Sequence, residues 1–284
     1  MSETATMVDV SQFAAAIDKH IRPATFPVAI KMIRPGEALP PKVRRPAEMG
    51  FQTAICQGFA ISRRYGWPIA IGIEDLSCPL AKVVFGFAPS VDFYEEGHAC
   101  AGMYTETPGA GAITEAGTDK FGYGEYRYIV SAPIYRTTFA PDVVLIYGSS
   151  GQVMRLITAA LWKTGGRLET SFSARIDCAD AVITTMRTQK PNVILPCYGD
   201  RVFAQTEDGE MGFTVPAAKF GEMIEGLEGT AKGGIRYPIP SFLRYTGQYD
   251  WGELQAGVSR QRLRHHMDML QDRFFGMSMP MDAR

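Results

Sequence analysis

One order of elements occurs twice in this chain, and it limits the possible folds more than any other feature. The segment Ala47 to Tyr65 has a helical pattern closed by Gly66, Trp67 to Ile73 (WPIAIGI) reads as a buried strand, and Cys78 follows directly. Later, Asp142 to Tyr147 (DVVLIY) reads as a strand and Gly148-Ser-Ser-Gly151 as a turn. Gln152 to Thr164 is an amphipathic helix stopped by Gly165 and Gly166, Arg167 to Ala174 is strand-like, and Cys178 follows. Twelve positions separate Gly66 from Cys78, and twelve separate Gly166 from Cys178. Gln52 matches Gln152 in this register, and Ala81 matches Ala181. A strand–helix–strand–Cys–helix unit used twice predicts two pseudo-symmetric halves around one core, because a solenoid needs three or more units.

The expected fold class is therefore mixed α/β (α+β), with both halves in one globular domain spanning 1–284. The repeat covers approximately 26–90 and 141–190, and a helical C-terminal extension covers 216–284. Around the repeat, Ser11 to Ile21 has helical spacing, Phe26 to Ile33 (FPVAIKMI) reads as a strand, and proline-rich Arg34 to Pro46 as a loop. Glu95 to Gly124, rich in Gly, Thr and Ala, reads as a long excursion with little regular structure. Short strands are expected at Asn192 to Pro196, Arg201 to Gln205 and Gly212 to Val215. Pro216 should open a helix over Ala217 to Leu227, and Trp251 to Phe275 has the pattern of a terminal helix.

The charge balance excludes some partners. Lys plus Arg number 29 against 30 Asp plus Glu, a formal charge of −1. Such a chain has no electrostatic reason to coat nucleic acid or an anionic membrane. It has no run of 18 apolar residues, the length of a spanning helix. Residues Met1 to Val10 lack a basic stretch followed by an apolar one, so the expected location is cytoplasmic, where thiols stay reduced.

That leaves five cysteines to explain, an odd number that does not suit a disulfide framework. Cys56 lies in a helical pattern, Cys78 and Cys178 at equivalent places in the repeat, Cys197 in the turn Pro196-Cys-Tyr-Gly-Asp-Arg201, and Cys100 in the excursion. No Cys-x-x-Cys pair is present, so zinc-ribbon and bacterial ferredoxin spacings are absent. Read by spacing alone, the thiols are either small buried hydrophobes or ligands converging from distant positions. In the second case, two facing across a pseudo-twofold and joined by Cys56 and Cys197 would suit zinc or an iron–sulfur cube.

A resemblance bears on that choice. The segments that carry it are Phe26-Pro-Val-Ala-Ile-Lys31, Ile55-Cys-Gln57, Leu76-Ser-Cys-Pro79 and Pro141-Asp-Val-Val-Leu-Ile-Tyr-Gly148. With them come Met154-Arg-Leu-Ile157, Cys178-Ala-Asp-Ala181, Pro191-Asn-Val-Ile-Leu-Pro-Cys-Tyr-Gly-Asp-Arg201 and Arg236-Tyr-Pro-Ile-Pro240. Together, over roughly Pro23 to Arg244, they resemble the bacterial and archaeal domain of unknown function 169 family. The resemblance implies a four-cysteine pattern at Cys56, Cys78, Cys178 and Cys197, with Cys100 outside it. With four thiols, it implies a [4Fe-4S] cluster as cofactor, with zinc or no metal as alternatives. The expected function is an iron–sulfur oxidoreductase or lyase acting on a small organic substrate, with an electron-transfer partner. The other readings are a binding or accessory protein with structural or zinc-bound cysteines, and a metal-free enzyme with a cysteine nucleophile.

Weaker candidates for chemistry are Asp200 and Arg201, beside Cys197, and His98, close to Cys100. Glu207, Asp208 and Glu210 form an acidic group best read as a solvated turn on Asp208-Gly209. The Gly148–Gly151 turn is best read as a helix cap. Gly122 to Tyr128 reads as aromatic lining or the start of a strand. Ser149 is not in a Gly-x-Ser-x-Gly elbow, so serine-hydrolase chemistry finds no support. His265 and His266 read as solvated or interface residues. The methionines Met267, Met269, Met277, Met279 and Met281 suggest an adaptable apolar surface and a homo-oligomer.

Overall fold

In the computed structural model, residues 3–239 are described. The terminal helical pattern, its histidines and the methionine cluster lie outside them. The first part of the chain forms α1 (Glu3–His20), β1 (Val28–Ile33), α2 (Ile55–Ala60), a π-helical turn at Ile61–Tyr65, β2 (Ile69–Ile71) and α3 (Pro79–Val84). Next come α4 (Asp92–Glu95), α5 (Pro108–Ala116), β3 (Tyr128–Pro133), β4 (Val143–Ser149) and α6 (Ser150–Ala160). Then follow α7 (Asp177–Ala179), a second π-helical turn at Asp180–Thr184, α8 (Thr185–Thr188) and β5 (Asn192–Ile194). The described part ends with α9 (Tyr198–Ala204), β6 (Glu210–Pro216) and α10 (Phe220–Lys232). The fold class is mixed α/β.

The six strands form one sheet in the order β2-β3-β1-β4-β6-β5, and every pairing is antiparallel. This order reads alike from both edges. The strands β1 and β4 meet at the centre, β3 and β6 flank them, and the short β2 and β5 close the edges.

Successive strand residues point to opposite faces, and both faces are buried. Ala29, Ile33, Val144, Ile146, Phe213 and Val215 face α1, α6 and α10 in one apolar cluster. On that side Phe13 stacks on Phe220 with ring centroids 4.4 Å apart. Val28, Ile30, Ile69, Leu145, Tyr147 and Ile194 face the other way, toward the cysteine-bearing elements. A strand covered on both faces reads as a continuous apolar run instead of an alternating one, which is why FPVAIKMI and DVVLIY look as they do.

Several expected elements differ. Ala47 to Tyr65 is not one helix: a single 3-10 turn at Ala47–Met49 ends at Gly50 (φ +84°), and the helix restarts at Ile55. The excursion contains α5, with Pro108 in its first turn and Thr107 accepting the Ala110 N–H at 3.3 Å. Arg167 to Ala174 has strand-forming residues but is irregular, and Thr170 ties it to β5 by donating to the Val193 carbonyl at 3.0 Å. Arg201 to Gln205 is helical: α9 starts after Cys197 and ends on Gln205 in the left-handed region. Pro216 closes β6 rather than opening a helix, and a 3-10 turn at Ala217–Lys219 leads into α10.

Candidate functional site

The four cysteines of the expected set are delivered by four short helices on one face of the sheet. Cys56 is the second residue of α2, and Cys178 the second of α7. Cys78 is the N-cap of α3, and Cys197 the N-cap of α9. By position, then, Cys56 corresponds to Cys178 and Cys78 to Cys197. The twelve-residue spacing suggested instead that Cys78 matches Cys178. That match fails because the second half inserts α6 and an irregular stretch between its central strand and its cysteine helix.

Local packing explains why each thiol arrives where it does. Gln57 caps α2 by accepting the Ala54 N–H at 2.8 Å. The loop before Cys78 is pinned by Asp75, which is fully buried and fully bonded. It accepts from the N–H groups of Ala47 and Gly72, each at 2.9 Å, and from Arg45 at 2.8 Å. The two π-helical turns are held to the sheet by buried hydroxyl pairs. Ser62 meets Ser131 at 2.9 Å, and Thr185 meets Thr214 at 2.6 Å. Ser131 lies opposite the first residue of β2, and Thr214 opposite the first residue of β5. π-helical turns are rare and favour functional sites, and here one follows each of the paired cysteine helices.

Three of the four thiols are linked through apolar contacts. Cys56 packs with Ala54, Ala60 and Ala204, uniting α2 with α9, and half-buried Cys78 packs against this cluster as well as the one containing Cys178. Burial pushes the Cys56 thiol up, followed by the charges of Asp200, Asp177, Cys197 and Cys78. Burial also pushes Cys178 up, with Asp177, Cys56, Cys197 and Cys78 adding to it. Cys197 is pushed up to about 12 by burial and then by Asp177. Cys56 and Cys178 thus each feel others of the set. Among the described residues, no group of three or more His, Cys, Asp or Glu side chains is gathered tightly enough to hold a single metal ion.

Behind the thiols lies a polar network. Asp200 is wholly buried in α9 and accepts from Thr206 at 2.8 Å and from the Tyr147 hydroxyl at 3.4 Å. Its Oδ1 has no partner among the described residues. Arg63, in the first π-helical turn, donates to both oxygens of Glu210, at 2.8 and 3.1 Å, and to Thr206 at 3.1 Å. Its guanidinium lies 3.9 Å from the centre of the Tyr147 ring. Burial, and then the neighbouring Asp200, push the Asp177 carboxyl up, and burial pushes Asp200 up. A carboxyl held toward its neutral form can donate a hydrogen bond, which suits an adjoining sulfur that carries charge.

The other candidates fall elsewhere. Arg201 donates to the Glu207 carbonyl at 2.7 Å within a surface turn. His98 is exposed, 3.4 Å from Glu96 and stacked on Phe93. Cys100 is buried against Glu115. Glu210 leaves the acidic turn to pair with Arg63. Ser149 and Gln152 form a capping box on α6. Four residues near the site were not legible in the sequence: Arg63, Tyr147, Glu115 and Arg175. Their only sequence signal is a charge or hydroxyl inside an apolar stretch.

No helix among the described residues is long and apolar enough to cross a membrane. No solved structure matches the chain. A Methanocaldococcus jannaschii protein described as "Uncharacterized protein MJ0308" is 34% identical over 100 residues, 35% of this chain and 43% of that protein's own length. Residues 16–226 match the family described as "Uncharacterised ArCR", the domain of unknown function 169. That match spans most of the chain and includes all four cysteines of the site, so the chain belongs to the domain of unknown function 169 family.

Proposed function

We propose that this chain is an iron–sulfur protein in which Cys56, Cys78, Cys178 and Cys197 hold a [4Fe-4S] cluster, serving an oxidoreductase or lyase reaction on a small organic substrate. One observation carries the reading. Four thiols come from four separate helices, matched in two pairs by position, and Cys78 joins the apolar cluster of Cys56 to that of Cys178. Four thiolates are the usual ligand set of such a cube.

Zinc would be held by the same four sulfurs, and a metal-free nucleophile would use one of them as a thiolate; the assays below separate both from a cluster. When bound, the cluster would supply electron transfer, or Lewis acidity at an iron left open by one ligand. The chain itself would exclude water with the α2–α9 contact and hold Asp200 in place through Thr206 and Arg63.

Anaerobic purification with iron and sulfide assays and visible absorption tests the proposal. Iron and sulfide in equal amounts with a brown chromophore are expected. Colourless, iron-free protein that also fails anaerobic reconstitution would overturn it, and stoichiometric zinc would favour an accessory role.

A further inference from the structure

The excursion between the halves brings a second charged group beside the cysteine-bearing segment. Arg175 is 4% exposed and ion-paired with Glu115, which is 1% exposed. Lys120 stands 3.7 Å from the other oxygen of Glu115. Two cations thus meet one carboxylate. Nε and Nη1 of Arg175 have no hydrogen-bond partner among the described residues. Buried guanidinium nitrogens left unbonded are costly, and a ligand that accepts from them removes that cost.

We propose that Arg175 anchors the carboxylate of a small organic acid beside the cysteine-bearing segment. This deepens the iron–sulfur reading by naming the substrate class, and rests on it only for what the acid is brought to. The guanidinium of Arg175 lies 5.9 Å from the centre of the Tyr104 ring. The Tyr104 hydroxyl is raised by burial and then by Cys197, with Arg175 opposing and Cys78 and Cys100 adding. Tyr94 likewise feels both Cys78 and Arg175. Arg175 stands three residues before Cys178, so an acid bound to its guanidinium would lie beside the cysteine-bearing segment.

The charge and the rim set the ligand class. The Glu115–Arg175–Lys120 group has one positive charge in excess, which matches a single carboxylate. The Tyr104 ring, 39% exposed, is apolar surface beside the same guanidinium, which suits an organic body better than a free phosphate. Ala174, just before Arg175, has φ +55°, an uncommon conformation for a residue with a Cβ.

The test is calorimetric titration of the full chain, both metal-free and after anaerobic reconstitution, with acetate, malonate and inorganic phosphate as probes. Saturable carboxylate binding is expected in both forms, with phosphate weaker. Arg175→Lys should weaken carboxylate binding by about tenfold, because the ammonium lacks the planar donor geometry. Arg175→Met alone would strand Glu115, so the charge-matched pair Arg175→Met with Glu115→Gln is used to abolish binding. Absent saturation by either carboxylate, a preference for phosphate, or affinities unchanged in the variants would overturn the proposal. Carboxylate binding by a chain that never retains iron would sink the cluster reading and leave this one standing. Iron and sulfide without carboxylate binding would do the reverse.

Discussion

Cys56 and Cys178 occupy the same local position in two parts of the chain: each is the second residue of a short helix that runs directly into a π-helical turn. Cys78 and Cys197 repeat the relationship as N-caps following the two edge strands. The site thus has two kinds of position, each used twice, and substitutions at matched positions should behave alike.

Replacing any one of Cys56, Cys78, Cys178 or Cys197 by alanine should reduce iron and sulfide per chain by at least about half, whereas Cys100→Ala should retain them. In metal-free folded protein, half-buried Cys78 should react with a thiol reagent before the four buried thiols. Timed alkylation read by mass spectrometry checks the order.

The hydroxyl pairs that hold the π-helical turns can be tested by a double-mutant cycle. Thr214→Val leaves the buried Thr185 hydroxyl poorly paired and should cost about 1–3 kcal/mol. Adding Thr185→Val should cost much less than the first step, because both partners are then apolar. Equal, additive losses in urea unfolding would show that the pair is not coupled.

Arg63 is buried, and Glu210 is nearly so. Arg63→Met should cost about 1–3 kcal/mol, because Glu210 loses its two-point partner and keeps only the Glu207 N–H at 2.9 Å and Arg64 at 3.6 Å. Burial raises the Glu210 carboxyl, but the Arg63 hydrogen bonds, the Glu207 N–H and the charges of Arg63 and Arg64 together outweigh it and hold the group below the ordinary glutamate value. Its contribution is therefore present above that ordinary value and lost as pH falls through the folded one. The stability gap between wild type and Arg63→Met should narrow in acid, as thermal unfolding at a series of pH values would reveal.

Asp180 behaves in the opposite sense. Burial, and then Asp119, push its carboxyl up to about 7. A raised carboxyl favours the folded state below the unfolded value and loses that advantage as pH rises toward 7. Asp180→Asn should therefore gain stability relative to wild type between about pH 4 and 7 and keep the gain above that. A difference that is flat across this range would contradict the assignment.

Much of this fold is legible in the residues themselves. The central strands appear as apolar runs because both faces of the sheet are covered. Ser149 and Gln152 mark the start of α6 because capping chemistry is local. The family was legible through its ordered motifs. Arg201 to Gln205 misled because Val202 and Phe203 look like a strand, yet both are exposed on a short helix. Arg167 to Ala174 misled because strand-forming side chains do not make a strand without a backbone partner.

By itself, then, the sequence determined the mixed α/β class, the central strands and the family, since these follow from local patterns and a specific set of motifs. Only the tertiary structure decided that Cys56 matches Cys178 and Cys78 matches Cys197. It also placed Arg63 and Asp200 behind the thiols and Arg175 against Glu115. Those relations join residues far apart along the chain, and equal spacing cannot report them, because an inserted helix shifts the numbering without moving the strands that pair at the centre of the sheet.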